Sequence, residues 1–446
     1  MPSVTCPAVL IAAPASGQGK TTVTAALARL HRRAGRRVRV FKCGPDFLDP
    51  YWHELASGAP VYQLDLWING YADCAARLAE AAQDCDLIIV EGVMGLYDGD
   101  PSAARLSQVF NLPVLTVIDG SAMATTFGAL ALGLQHYQSL RWAGVLANRV
   151  AGERHARMLA DSLRDPDHWL GALPRDAAYN LPERHLGLVA AAEVGDAAAR
   201  LDAAADALAQ TPLGRMDRSD LARWNVSFER APQAPAVPSP APLNGRVIAV
   251  ARDAAFCFIY AANLDCLRTL GAQIEFFSPL TDSDLPACDA IWLPGGYPEL
   301  HAATLAANKA LRDALADHVA RGRPIWAECG GMMPLFDQLT TSDGHVYAMW
   351  GLLPGHVRMQ RQLAALGPQQ LVLDEGVLRG HTFHYSRCET PLLVSERTSR
   401  PDQPPKADEG EPFYRHGSIN ASYFHPWFAS SPEATLALFG LSEDRR

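Results

Sequence analysis

The sequence predicts an α/β protein of two domains, each built on a parallel sheet, and three observations carry that expectation. The chain has 446 residues, more than one hydrophobic core usually serves. In both halves short continuous apolar runs alternate with helical patterns, as in buried strands covered on both faces. Between the halves, the stretch 229–245, ERAPQAPAVPSPAPLNG, carries five prolines and several alanines, a composition that favours extended, solvated backbone. The predicted organisation is therefore a first domain over 1–228, a linker over 229–245 and a second domain over 246–446.

In the first domain the strands are expected at Val9–Ala13, Val38–Lys42, Asp86–Val90, Pro113–Ile118 and Gly144–Asn148. In the second they are expected at Arg246–Ala251, Gln273–Phe277, Ala290–Leu293 and Pro324–Ala327, with Thr398–Pro412 as an exposed polar loop. Ligands in such sheets bind at the carboxyl ends of the strands, so the loops that follow them are where chemistry is sought.

Composition narrows the partners. Apolar residues make up 48% and charged residues 20%, and the net charge of −9 offers no basic face to nucleic acid, which leaves a small-molecule substrate. The N-terminus shows neither a basic leader nor an apolar run long enough for a bilayer, so no membrane partner and a cytoplasmic location are expected. The nine cysteines are scattered, with no Cys-x-x-Cys pair and no metal-ligand spacing. Nothing in the sequence reads out an oligomeric state.

Residues 15–22, ASGQGKTT, follow the first strand and open a helix through Ala25, Leu27 and Leu30. Glycines let backbone N–H groups close around phosphates and the helix N-terminus adds its dipole. ATP is thus expected on Ser16, Gly17, Gly19, Lys20, Thr21 and Thr22, with Thr21 reaching Mg²⁺. Pro14 stands where the first glycine of the usual G-x-x-x-x-G-K-[ST] loop would fall, so Ser16-Gly17 must supply the early turn, as in dethiobiotin synthetase-like loops. The acid that completes such a site belongs at the end of a later strand, and Glu91 follows Leu87–Val90, making it the expected Mg²⁺ ligand. Asp98 lies seven residues further in a glycine-bearing loop, and Asp46, in CGPDFLDP at 43–50, ends another strand. The plain alternative for both aspartates is a loop acid that caps a turn.

In the second domain PIWAECGGMM, at 324–333, places Cys329 between an apolar strand and a helical pattern. A nucleophile on such an elbow needs small neighbours, and a helix N-terminus there would lower the thiol pKa. The loop LPGGYPE at 293–299 ends another strand, and the backbone of Gly295, Gly296 and Gly330 is expected to face a tetrahedral oxyanion. The base is expected to be His425, with His381 and His384 as competitors. Class I glutamine amidotransferases mostly read His-x-Glu here, whereas Pro426 and Trp427 follow this histidine, which leaves a Cys329–His425 dyad.

Taken together these segments resemble the cobyrinate and hydrogenobyrinate a,c-diamide synthases of cobalamin biosynthesis over nearly the full length. The marks are APASGQGKTT (13–22), KCGPDFLDP (42–50), EGVMGLYDG (91–99), LPERHLGLVAAAE (181–193), LPGGYPE (293–299), ECGG (328–331) and GHTFHYS (380–386). The resemblance implies a P-loop NTPase-like first domain, akin to dethiobiotin synthetase, and a class I glutamine amidotransferase-like, flavodoxin-like second domain. It implies amidation of the a and c carboxylates of a corrinoid, with glutamine as nitrogen donor, ATP as energy source and Mg²⁺ as cofactor. It also implies that Asp46, Phe47 and Leu48 lie near the corrinoid carboxylate, that Asp98 shapes the intermediate, and that the missing triad carboxylate is a feature of the subgroup. The competing enzyme readings are cobyric acid synthase, which would need more sequence, and a nickel-sirohydrochlorin diamide synthase. A regulatory partition-type ATPase lacks its signature lysine here and leaves Cys329 unexplained.

Overall fold

The computed structural model describes residues 3–184, 187–188, 191–229 and 241–440. The chain divides into two compact units, Met1–Ala234 and Pro235–Arg446.

The first unit is built on seven parallel strands: β1 (Ser3–Ala12), β2 (Val38–Cys43), β3 (Tyr62–Leu64), β4 (Leu87–Glu91), β5 (Val114–Asp119), β6 (Trp142–Val150) and β7 (Trp169–Pro174), in the order β3-β2-β4-β1-β5-β6-β7. Four of them are buried along most of their length, so the sheet is covered on both faces. The order reverses at β1, which lies between β4 and β5, and the crevice at its carboxyl end is where a ligand fits. Helix α1 (Lys20–Arg33) leaves that end and buries Val23, Leu27 and their neighbours in the core. A bidentate pair from Arg29 to Asp202, 2.8 and 2.9 Å, ties α1 to the helix Ala197–Ala209.

Three strands of this sheet went unpredicted. β3 is three residues long, too short to show a period, and β7 is interrupted by Gly171. The third, Asn225–Glu229, alternates buried Val226 and Phe228 with exposed neighbours and pairs antiparallel with the start of β1.

The second unit carries a seven-stranded sheet in the order Gln273–Phe277, Val247–Ala251, Ala290–Leu293, Ile325–Glu328, Ile419–Ser422, Pro412–His416, Val394–Arg397. The first five strands run parallel and the last two are antiparallel. Two smaller sheets, absent from the sequence reading, are added. One of them sets His425–Trp427 beside Gly376–His384, with His425 directly opposite His381.

Two predicted loops differ in detail. Thr398 and Glu411 are buried and bonded to each other, Glu411 N donating to Thr398 Oγ1 at 2.7 Å, so only the middle of 398–412 is exposed. Of 229–245, residues 230–240 lie outside the described residues, Glu229 ends a strand, and Leu243 is buried and bonded to Leu270. Among the described residues no helix is long and apolar enough to cross a membrane.

Candidate active site

The first cluster forms where β1, β2 and β4 end. Gly17 and Gly19 have φ of 76° and 92°, the left-handed region that glycine enters freely, and a Cβ at Gly19 would sit 2.0 Å from the amide nitrogen of Asn148. Gly17 thus makes the early turn that Pro14 cannot. Lys20 is buried; its Nζ donates to Met94 O at 2.7 Å and Ala15 O at 3.1 Å, drawing the loop after β4 against the loop after β1. Burial lowers its pKa. Thr21 Oγ1 donates to Glu91 Oε1 at 2.8 Å and lies 3.3 Å from Asp49 Oδ2, so hydroxyl and carboxylates meet beside the loop. Thr22 lines a cavity of about 460 Å³ with Asn148, Arg149, Arg175 and Tyr179.

Three residues the sequence reading passed over complete this cluster. Lys42, at the end of β2, stands 2.5 Å from Asp49 Oδ2, 3.2 Å from Glu91 Oε1 and 3.6 Å from Asp46 Oδ2. His53, fully buried in the helix Asp49–Ser57, bonds through Nε2 to Glu91 Oε2. Burial alone would raise the Glu91 pKa; Lys42 and His53 reverse the sign and hold it down at about 2. Burial opposes the charge on Lys42 as well, but the carboxylates of Asp49, Glu91 and Asp46 keep its pKa well above the ordinary value. Lys42 and Asp49 could have been found inside KCGPDFLDP, whereas the His53–Glu91 contact spans 38 residues and has no local signal.

Asp46 and Asp98 both cap turns. Asp46 Oδ1 accepts from Leu48 N at 2.9 Å and Asp49 N at 3.1 Å, and Asp98 Oδ2 accepts from Gly95 N at 2.9 Å. Asp46 also faces Lys42, and the loop of Asp98 is pinned to β1 by Leu96 N donating to Ala13 O at 2.8 Å. Phe47 and Leu48 are largely buried at the start of the helix Asp49–Ser57. In the segment 181–193, residues 185–186 and 189–190 lie outside the described residues.

The second cluster surrounds Cys329. Its φ of 49° puts a non-glycine residue in the left-handed region, as a strand-to-turn elbow requires. The expected α-helix does not follow: Cys329–Leu335 is a seven-residue 3₁₀ turn with Pro334 inside it. The resting thiol is correspondingly not lowered; burial, and next the adjacent Glu328, push its pKa well above normal, opposed by the N–H of Gly330. Gly330 packs on Gly296, since a Cβ there would lie 2.8 Å from Gly296 O and 3.0 Å from Gly296 N. A Cβ on Gly295 would lie 2.6 Å from the His425 ring. The glycine loop is thereby held between the elbow and His425.

His425 is not without a carboxylate. Glu328, the residue before Cys329, places Oε1 2.6 Å from His425 Nδ1, and its Oε2 accepts from Trp292 Nε1 at 3.2 Å. This corrects the dyad: the position two residues after the histidine is Trp427, yet an acid reaches the imidazole from the strand that carries the thiol. Both partners are fully buried; burial pushes Glu328 well above the carboxylate range and holds His425 down at about 3. The competing histidines have partners of their own. His381 stacks on His425 at 4.8 Å and meets Tyr260, while His384 pairs with Glu411 at 3.1 Å and stacks on Tyr423. A cavity of about 1010 Å³ is lined by Thr382, His384, Glu411 and Tyr423, and Phe383 O, between the first two, lies 3.9 Å from Cys329 Sγ.

Residues 9–189 match the CobQ/CobB/MinD/ParA nucleotide binding domain and residues 247–433 the CobB/CobQ-like glutamine amidotransferase domain. The hydrogenobyrinate a,c-diamide synthase of Pseudomonas aeruginosa is 54% identical over 100% of both chains. The enzyme of that name from Stutzerimonas stutzeri is 56% identical over 98% of this chain and 99% of its own. The cobyrinate a,c-diamide synthase of Herminiimonas arsenicoxydans is 47% identical over 97% and 96%.

Proposed function

Because the chain belongs to the family of cobyrinate and hydrogenobyrinate a,c-diamide synthases, we propose that it converts the a and c carboxylates of a corrinoid to amides, driven by ATP and fed by ammonia from glutamine. The observation that carries this reading is the presence in one chain of two unlike centres: a phosphate loop beside paired carboxylates, and a buried thiol on an elbow beside a histidine.

At the first centre the N–H groups around Gly17 and Gly19, with Lys20, take the phosphates of ATP. The cavity beside Thr22, walled by Asn148 and Tyr179, suits the base. Thr21, Glu91 and Asp49 form a hard-oxygen donor set that fits Mg²⁺. Among the described residues no group of three or more His, Cys, Asp or Glu side chains is arranged to hold a metal, so phosphate and water would complete the shell. Bound there, Mg²⁺ would neutralise charge on the transferred phosphoryl group. The loop of Asp46, Phe47 and Leu48 and that of Asp98 then present the substrate carboxylate, which takes the phosphoryl group and becomes an acyl phosphate.

At the second centre Cys329 attacks the glutamine side-chain amide, the oxyanion being met by N–H groups of Gly296 and Gly330. His425 takes the thiol proton and gives it to the departing nitrogen. The thioester is hydrolysed by water, and ammonia displaces phosphate from the acyl phosphate. The cavity at Glu411 and His384 is the route by which glutamine reaches the thiol.

The test is to incubate the protein with glutamine, MgATP and either cobyrinic or hydrogenobyrinic acid and follow product mass. Two successive carboxyl-to-amide conversions on one of these acids are expected. Unchanged mass with both, alongside amidation of sirohydrochlorin, would overturn the substrate assignment.

A further inference from the structure

We propose that Glu328 is the positioning residue of the glutaminase centre: it holds His425 with its proton on Nδ1, so that Nε2 accepts the thiol proton of Cys329. This rests on the glutaminase reading above and adds the member that the His-Pro-Trp sequence omits. The carboxyl group lies 2.6 Å from Nδ1, and both residues are 1% exposed, so the contact is sheltered from bulk solvent. Trp292 Nε1 binds the other oxygen and fixes the plane of the group. His381, stacked on the opposite ring at 4.8 Å, keeps the imidazole from tilting away. Because residue 328 precedes the nucleophile on one rigid strand, a shift of the elbow carries the acid with it.

The proton path is simple. Burial disfavours charge on both residues, so the resting pair holds a proton on each; in the working form Glu328 has given its proton up, the imidazole keeps its own on Nδ1, and Nε2 carries a lone pair. It takes the proton from Sγ as the C–S bond forms, then passes it to the amide nitrogen as the C–N bond breaks, releasing ammonia. With the imidazole turned to its other tautomer, Nε2 carries hydrogen and no base faces the thiol.

Glu328→Gln tests this because Trp292 decides how the amide sits. The indole N–H needs an acceptor, so the glutamine oxygen faces Trp292 and the NH₂ faces Nδ1, which must then be the unprotonated nitrogen. In the full-length variant kcat for glutamine hydrolysis should fall about 10²–10⁴-fold, by analogy with loss of the orienting carboxylate elsewhere. KM should stay within about threefold. The pH profile for alkylation of Cys329 by iodoacetamide, read by mass spectrometry, should shift, since the variant removes both the carboxyl group that raises the thiol pKa and the ring orientation that faces it. Synthesis from ammonium salts, which bypasses the thiol, reports that the chain is folded. A kcat within about threefold of wild type, a loss with an unmoved alkylation profile, or an equal loss of ammonium-dependent synthesis would each overturn the assignment. Cys329→Ala runs in parallel: if it keeps glutamine turnover, the glutaminase reading itself fails, which is a different result.

Discussion

Lys42 is the residue on which the first centre depends, because it faces three carboxylates while almost fully buried. Removing a buried charge leaves its partners uncompensated, at a cost of roughly 3–5 kcal/mol. Lys42→Met should therefore destabilise the first unit by that order, read as a lowered urea midpoint, and an unchanged midpoint would contradict the network. Lys20→Ala and Glu91→Gln should suppress synthesis from glutamine and from ammonium salts alike, since both act before nitrogen enters. Near-normal ammonium-dependent synthesis in either variant would sink the phosphate-loop assignment. At this scale the sequence showed residues that sit inside a local motif: Lys20, Thr21, Glu91 and Cys329. It did not show partners brought together by the sheet, such as His53 with Glu91 across 38 residues and Glu328 with His425 across 97.

Two elements carry consequences of their own. The elbow is closed by Gly331, where a Cβ would approach Leu293 O to 2.0 Å. Gly331→Ala must push two buried strand ends apart, so glutamine-dependent synthesis should fall more than tenfold while ammonium-dependent synthesis persists. In α1, His31 is buried, and burial with Arg36 nearby lowers its pKa to about 4. Between the ordinary histidine value and that figure the unfolded chain binds a proton that the folded chain refuses, so stability falls as pH drops from about 6.5 towards 4. His31→Gln should lose part of the drop in urea midpoint between pH 7 and pH 5; an identical drop in both proteins would show that His31 does not titrate this way. Nine of the main strands were legible, most of them as nearly continuous apolar runs. The small sheets were not, since along Ala365–Leu373 burial alternates but residue type does not follow it: Leu366 is exposed and Gln369 is buried. The turn after Cys329 read as a helix because Gly-Gly-Met-Met-Pro-Leu is apolar throughout and has no period to judge.

Across the whole molecule, the nucleotide-binding match lies within Met1–Ala234 and the glutamine amidotransferase match within Pro235–Arg446, and the proposed function accordingly gives carboxylate activation to one unit and ammonia release to the other. The separation was legible from the proline-rich stretch and the two strand series; the substrate was not, because no ring-binding residue announces itself in composition or spacing, and it came from the family. If the assignment holds, the nucleophile supplies nitrogen and takes no part in forming the acyl phosphate. The most direct measurement is amide product formed by Cys329→Ala from hydrogenobyrinic or cobyrinic acid and MgATP, with glutamine in one reaction and ammonium salts at raised pH in the other. The account predicts no product with glutamine and near-wild-type product with ammonium. Full glutamine-dependent synthesis by Cys329→Ala would contradict it.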